Sequence, residues 1–204
     1  MKKGIIAFLT VMCLVWLLLP SYAEATEAEN YNISNYDRKI EIQQKWENIV
    51  KAKYVYVDSP SVTYPYNTGK VCSTCLNSGL SYLNYIRYVA DLPSVTMKDT
   101  LNDQAQHGAV VMAANDVMSH YPEQPADMPD DFYEKGYNAT KRSNISRQYR
   151  NSMYDSNGLN GLQNSLLMYM NDEDTENAKR VGHRRWLLNP RLLYVGFGYA
   201  TSLT

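Results

Sequence analysis

The chain predicts an α+β fold in which helices pack on a small sheet. Three observations lead there. Apolar residues recur at helical spacing in separate stretches, Leu80 to Ile86, Leu101 to Met112 and Leu162 to Met170. Near the C-terminus Val195, Phe197 and Tyr199 alternate with Gly196, Gly198 and Ala200, the period of a strand pressed against another layer on its small-residue side. The run KYVYVDSPSVTYPYNTG is β-branched and aromatic, is broken by two prolines, and reads as a short edge strand or extended arm.

Lys2 and Lys3 precede an almost unbroken apolar run from Gly4 to Leu19, followed by Pro20 and Ser21-Tyr22-Ala23. That order is the pattern of a secretory signal peptide cut near Ala23, which sends the chain outside the cell. The run is shorter than the roughly 20 apolar residues a spanning helix needs, so an uncleaved anchor is the lesser alternative and no stable membrane span remains after cleavage. Residues 1–23 are then the signal, 24–70 a leader with an amphipathic helix and an extended arm, and 71–204 the main domain.

Two of the 20 Lys+Arg and none of the 21 Asp+Glu lie before Glu24, leaving 18 basic against 21 acidic residues and a formal charge of −3. Neither a nucleic-acid footprint nor a basic stripe for an anionic membrane is visible in that balance. Tyrosine is abundant at 18 against 3 phenylalanines, so much of the aromatic area carries a hydroxyl that needs a partner or water. A wet, tyrosine-lined groove is one reading, and tyrosines half buried in an ordinary core the other.

Cys13 leaves with the signal, and Cys72 and Cys75 in KVCSTCLNSG remain. Outside the cell a short local disulfide is the simplest expectation. A redox C-x-x-C follows a strand and opens a helix, whereas this one follows the turn-rich YPYNTG. Zinc needs further ligands that no second cysteine pair supplies.

In order along the chain, Ile42, Trp46, Ile49 and Val50 predict an amphipathic helix from about Tyr36 to Lys53. A helix carrying Leu80, Leu83, Ile86 and Arg87 ends at Leu92-Pro93. A second, capped by Asp99 or Thr100, presents Leu101, Ala105, Gly108, Ala109 and Met112, small enough for another layer to approach, and runs to Ser119-His120. About thirty-five residues from Glu123 to Gly158 show little periodicity and read as a long loop. Leu159, Leu162, Leu166, Tyr169 and Met170 restore a helix, ended by the acidic NDEDTEN, and Asn189-Pro190 stops the helical turn after His183. The closing strand needs partners; KYVYV is a candidate, and the natural chain is expected to continue past Thr204.

The histidines are His107, His120 and His183. His107 lies off the apolar stripe and reads as a solvated helix residue. His120 sits at the end of one helix and His183 at the start of a helical turn, so the two can converge on one cleft; the alternative is that each serves its own helix terminus. Asp130, Asp131, Glu134, Asp172, Glu173, Asp174 and Glu176 supply carboxylates, most of them reading as a solvated acidic surface. There is no G-x-S-x-G elbow, P-loop, G-x-G-x-x-G or H-E-x-x-H.

Taken together, LNYIRYVADLP, LNDQAQHGAVVMA, SHYP, SNI and VGHRRWLLNPRLLYVGFGYA resemble, in order and spacing, the CAP superfamily, the SCP-like extracellular domain, in its bacterial secreted form; the match runs from about Gly79 to Tyr199. The resemblance implies an α-β-α sandwich with a large open cleft. It implies cleft histidines at His120 and His183, which in many members join two glutamates in holding a divalent cation such as zinc. Here Arg142-Ser143-Asn144 stands where the family has Gly-Glu-Asn, so the first glutamate is serine, and the second has only Asp172 or Glu173 nearby. Metal binding at His120 and His183 is therefore expected to be weak or absent. The cleft residues are taken as His120, His183, Ser143, Asn144 and Asp172. The favoured function is a non-catalytic secreted module binding an envelope glycan, lipid or protein; the alternative is a metal-assisted, protease-like hydrolase using the two histidines.

Overall fold

A computed structural model of the chain describes residues 34–52, 55–148, 161–173 and 175–201. The expected signal segment 1–23, Leu159 and Asp174 lie outside these. The chain divides into two compact units, one ending at Glu47 and one running from Asn48. The first contributes helix α1, 34–47, in which Gln43 Nε2 donates to Glu47 Oε1 at 2.9 Å one turn on.

The second unit orders its elements as β1 (Tyr56–Asp58), β2 (Lys70–Val71), α2 (Ser73–Val89), β3 (Thr96–Met97), α3 (Asp99–Ala114), α4 (Asp130–Thr140), α5 (Gly161–Asn171), α6 (Thr175–Arg180), α7 (Arg184–Leu187) and β4 (Tyr194–Val195). The fold is α+β, as expected, with sheet limited among the described residues to two short ladders. β1 pairs antiparallel with β2, and β3 pairs parallel with β4, Thr96 against Tyr194 and Met97 against Val195. Among the described residues no helix is long and apolar enough to cross a membrane.

The helix expected to reach Lys53 stops at residue 47 because the backbone beyond it is bonded elsewhere. Val50 N–H donates to Ser81 Oγ at 3.1 Å, and Gln163 Nε2 donates to the Val50 carbonyl at 3.2 Å. Ile49 then joins the main core with Tyr82, Leu83, Val95, Leu166 and Leu187, where α2 meets α5. A second cluster gathers Val71, Cys75 and Leu162.

Helices α2 and α3 both end on an aspartate in the left-handed region, Asp91 (φ 56°) and Asp116 (φ 48°). In each case the two amides from that residue turn back onto the last helical carbonyls: Asp91 to Tyr88, Leu92 to Arg87, Asp116 to Ala113 and Val117 to Met112. That is the Schellman closure, with Asp in glycine's usual place. It ends α3 at Ala114, five residues before the expected Ser119, and Asn115 Nδ2 reinforces the stop by donating to the Val111 and Glu123 carbonyls at 2.9 Å each.

The expected long loop contains α4. Asp130 and Asp131 sit in its first turn, where the helix dipole favours acids, and the residues it buries most deeply, Gly136 and Thr140, are small. A Cβ on Gly136 would come within 2.5 Å of Val111 Cγ2 and 2.9 Å of the His107 carbonyl, and one on Gly108 within 3.2 Å of Ala139 Cβ. Helix α4 is thus the layer that the small face of α3 admits. His107 is not solvated; its ring packs on Phe132 at 4.6 Å between the two helices.

KYVYV does not pair with the closing strand; Tyr56 pairs with Val71. The residues after β4 lie instead along α3. Phe197 N–H donates to Asn102 Oδ1 at 2.9 Å and Tyr199 N–H to Gln106 Oε1 at 2.8 Å, while Gln106 Nε2 donates to the carbonyls of Tyr199 and Thr68 at 2.9 Å each. Side-chain amides one helical turn apart thus do the work of a neighbouring strand. Gly196 and Gly198 make this possible, since a Cβ on either would strike the α3 backbone at Leu101 or Ala105.

Candidate functional site

Helices α3 to α7 and the chain after β4 surround an open cleft of about 1500 Å³, lined by His120, Ser143, Asn144 and His183 together with Tyr169 and Trp186. Asp172 is not on its wall. It lies beneath, 2% exposed.

His183 is held from that buried position. Asp172, itself left-handed at φ 48°, follows the last turn of α5 and turns its carboxylate onto the start of α7. Its Oδ1 accepts the His183 ring Nδ1 at 2.7 Å and the His183 amide at 3.2 Å, and its Oδ2 accepts the Arg184 amide at 3.0 Å. Burial alone pushes this carboxyl up, but the Arg184 amide, the His183 ring and the His183 amide together hold it below the usual carboxylate value. Tyr169 stacks on the imidazole with centroids 5.2 Å apart, and burial pushes its hydroxyl up to about 12, against a smaller lowering by Ser146. Asn144 Nδ2 donates to the His183 carbonyl at 3.2 Å.

His120 is held by backbone instead. Its Nδ1 lies 2.7 Å from the Thr140 carbonyl at the end of α4, and Thr140 Oγ1 donates to the His120 carbonyl at 3.2 Å. Both imidazoles therefore spend Nδ1 on a fixed acceptor, which sets the tautomer and leaves Nε2 for a ligand.

The chemistry of the donor set does not fit a resident divalent cation. The Asp172 carboxylate is committed to His183 and Arg184, Ser143 Oγ donates to the Ala139 carbonyl at 2.7 Å, and no group of three or more His, Cys, Asp or Glu among the described residues could hold a metal ion. Two imidazoles fall short of the three protein ligands that a catalytic zinc needs.

Arg87 was not legible as part of this arrangement. Fully buried, it donates through Nε to the Pro93 carbonyl at 2.8 Å and through Nη1 to the carbonyls of Leu187 at 2.6 Å and Asn189 at 3.1 Å. It clamps the end of α7, the turn whose other end carries His183. Asn84 completes the fastening, exchanging two side-chain hydrogen bonds with the backbone of Val95 (2.8 and 3.1 Å) just before β3.

Residues 80–203 match the family described as the Cysteine-rich secretory protein family, CAP. The chain belongs to the CAP family. No curated protein and no solved structure matches it significantly. Within this CAP domain the matched region takes in everything from the α2 arginine clamp to the glycines seated on α3, and so the whole wall of the cleft.

Its charge is one-sided. Among the described residues the cleft is lined by Lys135, Lys141, Arg142, Arg147, Arg180 and Arg185 and by a single acid, Asp116. Asp116 pairs with Arg147, and Lys135 with Asp103. Lys141, Arg142, Arg180 and Arg185 have no carboxylate partner among the described residues, in a chain with 20 basic and 21 acidic side chains overall. A net charge near zero over the whole chain conceals this segregation.

Proposed function

We propose that this CAP domain is a secreted, non-catalytic binding module whose cleft takes an acidic glycan of a bacterial cell envelope. The observation that carries the reading is the cleft's charge: among the described residues, four cations without carboxylate partners are set around a hollow whose one lining acid is paired with Arg147. A cleft lined by one sign of charge concentrates ligands of the opposite sign. Guanidinium groups suit carboxylates and phosphates, which they can grip through two parallel hydrogen bonds. Exposed aromatic rings on the same wall, Tyr121 at 65%, Trp186 at 56% and Tyr194 at 46%, offer flat apolar faces for sugar rings. The apolar run from Gly4 to Leu19 supports export.

The test is binding of the purified protein to polygalacturonate, to an uncharged glucan and to vesicles of anionic phospholipid. Binding to the acidic glycan that weakens steeply with salt, and falls about tenfold in Arg142→Glu with Arg185→Glu, is the expected result. Equal binding to the neutral polymer, or preference for the vesicles, overturns it.

One observation favours a second reading. An imidazole oriented by a buried carboxylate, as His183 is by Asp172, is the arrangement of a general base, and it would suit hydrolysis by an activated water. Turnover of a peptide or ester mixture that disappears in His183→Ala supports that reading, and turnover that survives ends it.

A further inference from the structure

The cysteine pair lies at the N-terminus of α2, and it carries chemistry that the cleft does not use. The C-x-x-C pair does follow a strand and open a helix: β2 ends at Val71, Cys72 is the cap of α2, and Cys75 stands one turn inside it. The expected local disulfide is not formed in this structure; both residues are thiols. Their surroundings differ. Cys72 is partly exposed, and Cys75 is wholly buried against Val71 and Leu162.

We propose that Cys72 and Cys75 form a thiol–disulfide exchange site, in which Cys72 attacks a disulfide of another molecule and Cys75 resolves the mixed disulfide. The attack forms a bond between Cys72 Sγ and one sulfur of R–S–S–R and expels the other as R–S⁻. Cys75 then gives its proton to that thiolate and attacks Cys72 Sγ, expelling the second R–S⁻, which takes a proton from water. Two thiols of the protein are oxidised as one external disulfide is reduced to two R–SH.

Position divides these roles. The amide N–H groups of Cys75 and Thr74 and the Thr74 hydroxyl hold the Cys72 thiol below its ordinary value, while burial pushes the Cys75 thiol up to about 11. The exposed sulfur is thus the nucleophile, and the buried one is kept as a thiol until a mixed disulfide forms beside it. Side chains three apart on a helix have Cβ atoms about 5–6 Å apart, and a disulfide wants about 3.5–4.5 Å. The difference can be closed at Cys72, whose φ of −61° and ψ of 133° already lie outside the helix. Among the described residues its backbone is tethered by Cys72 N–H to Val55 O at 2.7 Å and Leu76 N–H to Cys72 O at 3.0 Å.

The experiment equilibrates the full chain, in a Cys13→Ser background, with mixtures of oxidised and reduced glutathione, and reads the products by mass mapping. The expected product is a reversible loss of two hydrogens within the peptide carrying both cysteines, with no lasting glutathione adduct. Cys75→Ser should instead keep glutathione on residue 72, and Cys72→Ser should react about tenfold more slowly than Cys75→Ser. Cys75→Ala stands in if the serine disturbs folding, and far-ultraviolet circular dichroism decides which is used. Equal rates for the two single variants, or a stable glutathione adduct on the unaltered pair, overturn the proposal.

Discussion

Asp172 Oδ1 accepts the His183 ring nitrogen at 2.7 Å, while Asp172 Oδ2 accepts the amide of Arg184 at 3.0 Å. One carboxylate therefore orients the cleft histidine and satisfies the open end of α7. Had Asp172 faced the cleft as a metal ligand, neither bond could form.

Replacing Asp172 with Asn removes the charge from three interactions at a site that is only 2% exposed. The expected loss is about 2–3 kcal/mol in urea denaturation at neutral pH. Because the folded carboxyl titrates below the ordinary value of 3.8, its contribution is complete above that value and is lost as pH falls through the lower folded value. The stability curves of the two proteins should thus stay apart down to about pH 4 and converge only below it. Parallel curves throughout would show that the charge contributes nothing.

Gln106 makes two bonds that seat Tyr199 of the closing segment on α3, and a third to the Thr68 carbonyl just before β2. Gln106→Leu strands those backbone groups in a buried site and should cost about 3 kcal/mol. Hydrogen exchange at Tyr199 should accelerate more than at residues of α2. Gly198→Ala, whose new Cβ meets the Ala105 backbone, is expected to produce the same local release without deleting a hydrogen bond. Unchanged protection at Tyr199 in either variant would contradict this account.

Arg87 is buried and donates to the carbonyl oxygens of Pro93, Leu187 and Asn189, and burial pulls its guanidinium below the usual arginine value. Those carbonyls lie in different directions, and a fork of donors can meet them where a single ammonium cannot. Arg87→Lys should therefore destabilise by about 2 kcal/mol, and Arg87→Met by more, about 3 kcal/mol. Because Arg87 grips Leu187 and Asn189, the His183 ring resonances should shift in both variants. A lysine variant with native stability and native His183 shifts would remove Arg87 from this role.

What could be read from the sequence followed from how each signal arises. The face of α2 with Leu83, and that of α5 with Leu162 and Leu166, are buried by large residues, so periodicity found both helices. Helix α4 makes its closest approach to α3 through Gly136 and Ala139, and its larger apolar residues are the rings Phe132, Tyr133 and Tyr137 rather than the aliphatic side chains that marked the other helices. The family motifs pointed to His120 and His183 and set Asp172 among the cleft residues, but its burial against His183 and Arg184 depends on a turn from α5 to α7 that no motif carries. Strand β2 is two residues long, too short to register, and its omission hid the strand-then-helix setting of Cys72.

Val181 holds a β-branched side chain at φ 46°, where the amide of the next residue, Gly182, bonds back to the Asn177 carbonyl at 3.2 Å to close α6. Asparagine, aspartate or glycine suits such a site; valine is strained there. Val181→Gly should relieve about 1 kcal/mol, an estimate already reduced by the greater freedom that glycine gives the unfolded chain. The neighbouring glycine should be less sensitive, since a Cβ on Gly182 meets only the end of the Asn177 side chain, which can rotate away. Thermal melts should therefore rise for Val181→Gly and move little for Gly182→Ala. A lower melting temperature for Val181→Gly would mean that the valine side chain contributes more through its contacts than its backbone strain costs, so that the turn leading into His183 is held by packing.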